Sequence, residues 1–218
     1  MSYILKLLKN NFLLAFIIFM KSKNWIYRQK NDQFVKKAKQ FGYVNRAAFK
    51  LEEIEQKYKI IENSKEVLEL GSSPGGWTQV ILNYNQKIKI SCFDLLEMKI
   101  NNNNITFYKE DFFKYDFINF KNKFDLVLSD VAPNTTGHQS TDHLRISQLI
   151  YKVIEKLEIL LKNKGSFIFK IWKGEEEKEI IKILKQIFEK VEYFKPKSSR
   201  QESSEIFIIC RGFRLNED

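Results

Sequence analysis

Hydrophobic positions in this chain follow two alternating rhythms from Asn45 onward. Ala48, Leu51, Ile54 and Tyr58 recur at helical spacing, which predicts an amphipathic helix over 45–61. Residues 66–70 then form a short apolar run that stops at a Gly-rich turn, the pattern of a buried strand. The same reading gives a helix over 77–83 and strands over 88–93, 105–108 and 124–129. Ile146, Leu149, Ile150, Val153, Ile154, Leu157, Leu160 and Leu161 make one continuous apolar helix face, which Gly165 ends. A fifth strand over 166–172, a helix over 175–188 and strands over 191–194 and 206–210 complete the series. Strands separated by helices imply an α/β fold, a mostly parallel seven-stranded sheet with helices on both faces. The last two strands have no helix between them, so an antiparallel edge strand is expected. In such sheets ligands sit beyond the carboxyl ends of the strands, where strand order reverses.

Those ends carry the chemically suggestive residues. The first strand runs into Gly71-Ser72-Ser73-Pro74-Gly75-Gly76-Trp77, a turn that opens a helix. Glycines there let backbone approach a ligand, and the helix start offers unpaired N–H groups. The turn lacks the Gly-Lys-Ser/Thr of a phosphate loop and the G-x-G-x-x-G of a dinucleotide site, which argues against a nucleotide-dependent oxidoreductase. Asp94 ends the second strand, placed to accept hydrogen bonds from a ribose diol, and Asp111 follows the third, where it could meet an adenine amino group. Together they suit an adenosyl group without a pyrophosphate. Asp130 follows the most apolar strand, and Lys170 sits inside the fifth. A lysine buried in a strand needs a carboxylate partner, and Asp130 on the neighbouring strand can supply one.

Composition adds one bias. Lys and Arg total 37 against 27 for Asp and Glu, a formal charge of +10 with a pI near 9.4. Such a chain favours polyanions, nucleic acid above all, although Lys and Asn are abundant throughout. Cys92 and Cys210 lie in apolar runs without a ligand-spaced Cys or His, so neither a zinc site nor any other metal is expected. His138 and His143 follow Asp130 with no nucleophile motif beside them and read as solvated loop residues. No acidic residue precedes Asp32, whereas Lys6, Lys9, Lys21, Lys23, Arg28 and Lys30 do. A basic, apolar, acid-free 1–23 resembles a targeting segment, for a mitochondrion by preference, ahead of a single domain over 24–218. The alternatives are an uncleaved extension, with the chain in the cytoplasm of an AT-rich bacterium or in another organelle. The clean apolar run is short for a stable membrane span.

Five blocks resemble one family, the FtsJ-type (RlmE-like) ribosomal RNA 2′-O-methyltransferases. Asn45-Arg46-Ala47-Ala48-Phe49-Lys50-Leu51 is similar to its R-S-R-A-x-F-K-L, and Gly71 to Trp77 to its G-A-A-P-G-G-W. Ser129 to Asn134 resembles S-D-x-A-P-N, Phe169 to Gly174 resembles V-K-x-F-x-G, and Ser198-Ser199-Arg200 through Glu205 resembles S-S-R-x-x-S-x-E. The resemblance runs from about Asn24 to Phe213. It implies a Rossmann-like class I methyltransferase fold, S-adenosylmethionine as cofactor, and methylation of a uridine ribose in large-subunit ribosomal RNA by a monomer. It also implies a catalytic tetrad of Lys50, Asp130, Lys170 and Glu205. In that tetrad Lys170 accepts or steers the hydroxyl proton, with Lys50 disfavouring its charge and Asp130 favouring it. Cofactor contacts are expected at Gly71, Ser73, Pro74, Gly75, Gly76, Trp77, Asp94, Leu95, Asp111, Phe112 and Asp130. RNA contacts are expected at Arg28, Lys36, Lys37, Arg46, Lys173, Ser198 and Arg200. Asn45, Glu69 and Lys173 depart from the family's usual Ser, Asp and Gln, and Asn45 and Lys173 are the departures that could alter RNA contacts. Other substrates and roles compatible with these residues are a tRNA anticodon loop and a non-catalytic RNA-binding assembly factor.

Overall fold

The computed structural model describes residues 31–131, 139–200 and 203–215. Seven strands form one sheet: β1 (Glu66–Leu70), β2 (Lys89–Phe93), β3 (Ile105–Tyr108), β4 (Phe124–Ser129), β5 (Leu161–Trp172), β6 (Phe188–Phe194) and β7 (Glu205–Phe213). Their spatial order is β3-β2-β1-β4-β5-β7-β6. The pairs from β3 through β5 are parallel, and both pairs made by β7 are antiparallel. The sheet therefore turns antiparallel at the expected end, with β7 entering between β5 and β6. Strand order reverses between β1 and β4, where Leu70 pairs with Ser129. The Gly-rich turn and Asp130 thus leave the sheet side by side.

Two helical layers cover the sheet. Helices α2 (Ala48–Tyr58) and α3 (Gly76–Tyr84) lie on one face, packed through Leu51, Ile54, Val80 and Ile81 onto Val67, Leu126, Ile168 and Phe207. Helices α4 (Gln139–Leu160) and α5 (Glu175–Ile187) cover the other, packed onto Leu68, Val127, Phe167, Phe169 and Ile208. Strand parity assigns the faces, since successive side chains point oppositely. Phe167, Phe169 and Ile171 of β5 face α4 and α5, so Ile168 and Lys170 face α2 and α3. In β7, Phe207 and Ile209 share that second face, and parity carries Glu205 with them.

Boundaries differ from the periodicity where backbone geometry intervenes. Leu161 continues the apolar stripe of α4 yet opens β5 by pairing with Phe124; the register then shifts before Ser166 meets Leu126, and Lys164 takes a left-handed φ of 65° in that interval. Asn45 to Ala47 form a turn ahead of α2. Helix α1 (Gln33–Phe41), not expected from periodicity, is bounded by Asp32, whose side chain accepts from Phe34 N, and by Gly42 at φ 74°. It docks on α2 through Phe34, Phe41 and Tyr43, whose rings lie 5.6, 6.1 and 5.6 Å from that of Phe49. No described helix is long and apolar enough to cross a membrane. The targeting reading of 1–23 lies outside the described residues.

Candidate active site

The reversal between β1 and β4 opens a cavity of about 410 Å³. Gly71 makes the crossing close: at φ 74°, a Cβ there would stand 3.1 Å from the Val131 backbone. The turn beyond it folds onto the end of β2, where Ser73 N and Leu96 N donate to the two carboxylate oxygens of Asp94, each at 2.8 Å. Asp111 accepts from Phe113 N at 3.0 Å and so fixes Phe112, which meets Phe93 edge-on. Ile146, Ile150 and Val153 of α4 form an apolar wall. Among the described lining residues Lys170 is the one cation, and it is paired. Apolar walls, two carboxylates with lone pairs to spare and no cationic cradle fit an adenosyl group better than a pyrophosphate.

Two ion pairs stand beside this cavity. Lys170, 8% exposed, places Nζ 2.7 Å from Asp130 Oδ1 and donates a hydrogen bond to the Asp130 carbonyl at 2.9 Å. The pairing follows from register: Ser129 lies opposite Phe169, so the next residues on β4 and β5 meet. Burial alone would raise the Asp130 pKa; Lys170, and then Lys50, outweigh it and hold the carboxyl below its ordinary value. Lys50 reaches down from α2 to Glu205 at 2.8 Å, over the ring of Phe207 at 5.6 Å. Phe207 is the register partner of Lys170, which brings the two pairs together on one face. Lys50 Nζ lies 2.8 Å from both carboxylate oxygens of Glu205, Ser199 Oγ donates to Oε1 at 2.8 Å, and Lys195 Nζ donates to the Glu205 carbonyl. Burial, then the charges of Lys50 and Lys173, lower the Lys195 pKa against the pull of Glu205.

Comparison with known proteins decides the family. The model of the FtsJ-like methyltransferase matches residues 43–213. The chain belongs to the FtsJ-like methyltransferase family. Proteins named ribosomal RNA large subunit methyltransferase E are similar to it. The one from Rickettsia bellii is 41% identical, covering 87% of this chain and 88% of its own. That from Anaplasma phagocytophilum is 42% identical, covering 88% and 81%. A solved structure described as a ribosomal RNA methyltransferase from Plasmodium falciparum superposes with a TM-score of 0.69 at 29% identity, over 80% of this chain and all of that one.

Within this FtsJ-like methyltransferase the expected residues separate into two groups. Gly71, Ser73, Asp94, Leu95, Asp111, Phe112 and Asp130 line the cavity. Pro74, Gly75, Gly76 and Trp77 lie outside its lining. Gly75 sits at φ 110°, with Ile100 and Met98 where a Cβ would go. Gly76 admits Asn45, whose Oδ1 would be 2.0 Å from a Cβ. Trp77 is buried beside Phe207, and its Nε1–H donates to the Ala47 carbonyl at 2.9 Å. These residues brace α2 against α3, and so hold Lys50 in place. Asn45 likewise turns inward and caps Ala47 N at 3.1 Å rather than facing outward toward RNA.

The expected RNA contacts divide in the same way. Lys36, Lys37 and Lys173 are exposed. Ser198 is fully buried; its carbonyl accepts from Arg46, so its side chain offers nothing at the surface. Arg46 also pairs with Asp32, and Arg200 lies 3.6 Å from the same carboxylate. Arg28 and His138 lie outside the described residues. His143 belongs to α4 and packs on Trp172 at 5.5 Å, not in a loop as expected. Among the described residues no group of three metal-ligating side chains occurs, and both cysteines are buried and unpaired. Glu69 was noted only as a departure from the family pattern, yet it is buried behind the site. Burial, with Asp130 and Asp94 adding and Thr78 opposing, pushes its pKa up to about 8. Its signal was an acid in the middle of an apolar strand.

Proposed function

We propose that this chain transfers a methyl group from S-adenosylmethionine to the 2′-oxygen of a uridine ribose in large-subunit ribosomal RNA. The meeting of Asp130–Lys170 and Lys50–Glu205 on one face of the sheet, with Asp130 and Lys170 lining the Gly71 cavity, carries this reading. Relatives named for the large ribosomal subunit at about 40% identity support ribosomal RNA over an anticodon loop. An intact tetrad supports an enzyme over a bare assembly factor.

S-adenosylmethionine, when bound, supplies a methyl group activated by a sulfonium charge. Asp94 and Asp111 hold the adenosyl hydroxyls and amine, while Phe112, Ile146 and Ile150 exclude water from its base. Lys170 Nζ would hold the ribose 2′-oxygen, receiving its proton if it stands as the neutral amine and only steering it as the ammonium; Asp130 fixes Lys170, and Glu205 fixes Lys50. The test is Lys170→Ala, with turnover on unmodified large ribosomal subunits and cofactor affinity measured in parallel. Turnover should vanish while affinity stays within a few-fold. Loss of cofactor binding instead would overturn the assignment. Mapping ribose methylation in cells with and without the gene identifies the nucleotide.

The organisation proposed is one catalytic domain over 24–218 preceded by a targeting segment. Fusing 1–23 to a fluorescent protein separates a mitochondrial address from the bacterial cytoplasm, the compartment the bacterial relatives support.

A further inference from the structure

A second cavity, about 230 Å³, opens beside Lys50 and Glu205 and is also lined by Arg46, Ala47, Arg200 and Ser203. Three cationic side chains face it against the single carboxylate of Glu205. A residue from outside the lining supplies the missing negative charge. Asp32 places Oδ2 against Arg46 and 3.6 Å from Arg200 Nε, and its side chain is only 10% exposed. Its other oxygen accepts from Phe34 N at 2.9 Å and caps α1.

Capping does not need the charge, since Asn and Ser cap helices as well as Asp does. What the charge serves is the pair of arginines. Two guanidinium groups converging on one oxygen is the arrangement by which proteins hold phosphate, and carboxylate and phosphate compete for the same donors. The pair stands at the rim of the cavity that holds Lys50 and Glu205, where the backbone flanking a methylated ribose would lie.

We propose that Asp32 keeps the place of an RNA backbone phosphate, and that on binding a phosphate beside the target ribose takes over Arg46 and Arg200. This rests on the RNA methyltransferase reading above. Asp32 then retains only its cap. RNA binding and release of the Asp32 clamp become one exchange, so RNA must displace a resident carboxylate to seat its phosphate there.

The test is Asp32→Asn, which preserves the cap and removes the charge. Binding of a single-stranded RNA 20-mer is followed by fluorescence anisotropy across a salt series, alongside methyl transfer to unmodified large ribosomal subunits. The variant should bind about three- to tenfold more tightly, and its log–log salt slope should steepen by about 0.7, because no released carboxylate takes up a counterion as the phosphate gives one up. Arg200→Gln should flatten the wild-type slope by a comparable amount, and it provides the test should Asp32→Asn fail to fold. Unchanged or weaker RNA binding by a folded Asp32→Asn, or an unaltered slope in Arg200→Gln, overturns the proposal and makes Asp32 a structural tie. The binding arm does not depend on turnover. Wild-type protein that fails to methylate the particles counts against the RNA methyltransferase reading, whereas active wild-type protein with an unresponsive slope counts against the phosphate site alone.

Discussion

The two ion pairs of the site look alike in formula and differ in construction. Asp130–Lys170 joins adjacent parallel strands, and the lysine is nearly sealed in the sheet at 8% exposure. Lys50–Glu205 joins a helix to a strand 155 residues away and is the more open at the lysine, with both side chains 12–13% exposed. The first is fixed by register: once β4 and β5 pair, the charges must meet or be buried alone. The second is fixed by helix docking, through Trp77, Asn45 and the aromatic contacts of α1. A register-held pair carries a larger folding penalty when broken than a docking-held one, while both are asked to serve the same reaction.

Breaking each pair separately tests this contrast. Lys170→Met should have the largest effect. Turnover should drop by about 10²–10⁴, and leaving Asp130 buried without its partner should cost about 3–5 kcal/mol, read from urea midpoints. Lys50→Met should also depress turnover, by about 10²-fold, at a smaller stability cost, because Ser199 still donates to the Glu205 carboxylate left behind. Equal stability losses in the two variants would erase the distinction. Asp94→Asn touches neither pair. It should weaken cofactor binding about tenfold by calorimetry, with little change in the saturated rate.

Glu69→Gln should affect turnover least and reveal the pH dependence behind the first pair. The folded-state pKa of Glu69 is raised to about 8. The stability it contributes is therefore full below the unfolded value near 4.5 and is lost as pH rises toward 8. The thermal midpoint of the variant, measured against wild type, should gain steadily from about pH 5 to pH 8 and then level off. A constant gap would mean Glu69 titrates normally.

The same contrast explains what could be read from sequence. Asp130 and Lys170 were legible without any relative, because a charge inside an apolar strand demands a partner and strand ends tell where to look. The strands over 66–70, 105–108 and 124–129 were legible for the related reason that buried parallel strands are short, mostly apolar runs. Lys50 and Glu205 were not legible this way. Singly each is an ordinary surface charge, and nothing local says that α2 will lie over the start of β7; the family resemblance supplied them. Trp77 and Gly76 show that a Gly-rich turn also has a packing role, which sequence alone did not reveal. Its first residues approach the cavity, while its last residues admit a neighbouring chain segment. Helix α1 was missed although Asp32 is a good cap, since its apolar stripe is short and interrupted by lysines.

The threading of β7 between β5 and β6 sets a schedule for the nascent polypeptide. The strands through β5 can pair as they leave the ribosome, and with them comes the Asp130–Lys170 contact. The strand carrying Glu205 is synthesised later and must wedge between two others, completing the sheet and giving Lys50 its acid in one event. Maturation of the sheet and assembly of the site are thus a single step, so a product halted before residue 205 would lack the acid that Lys50 pairs with.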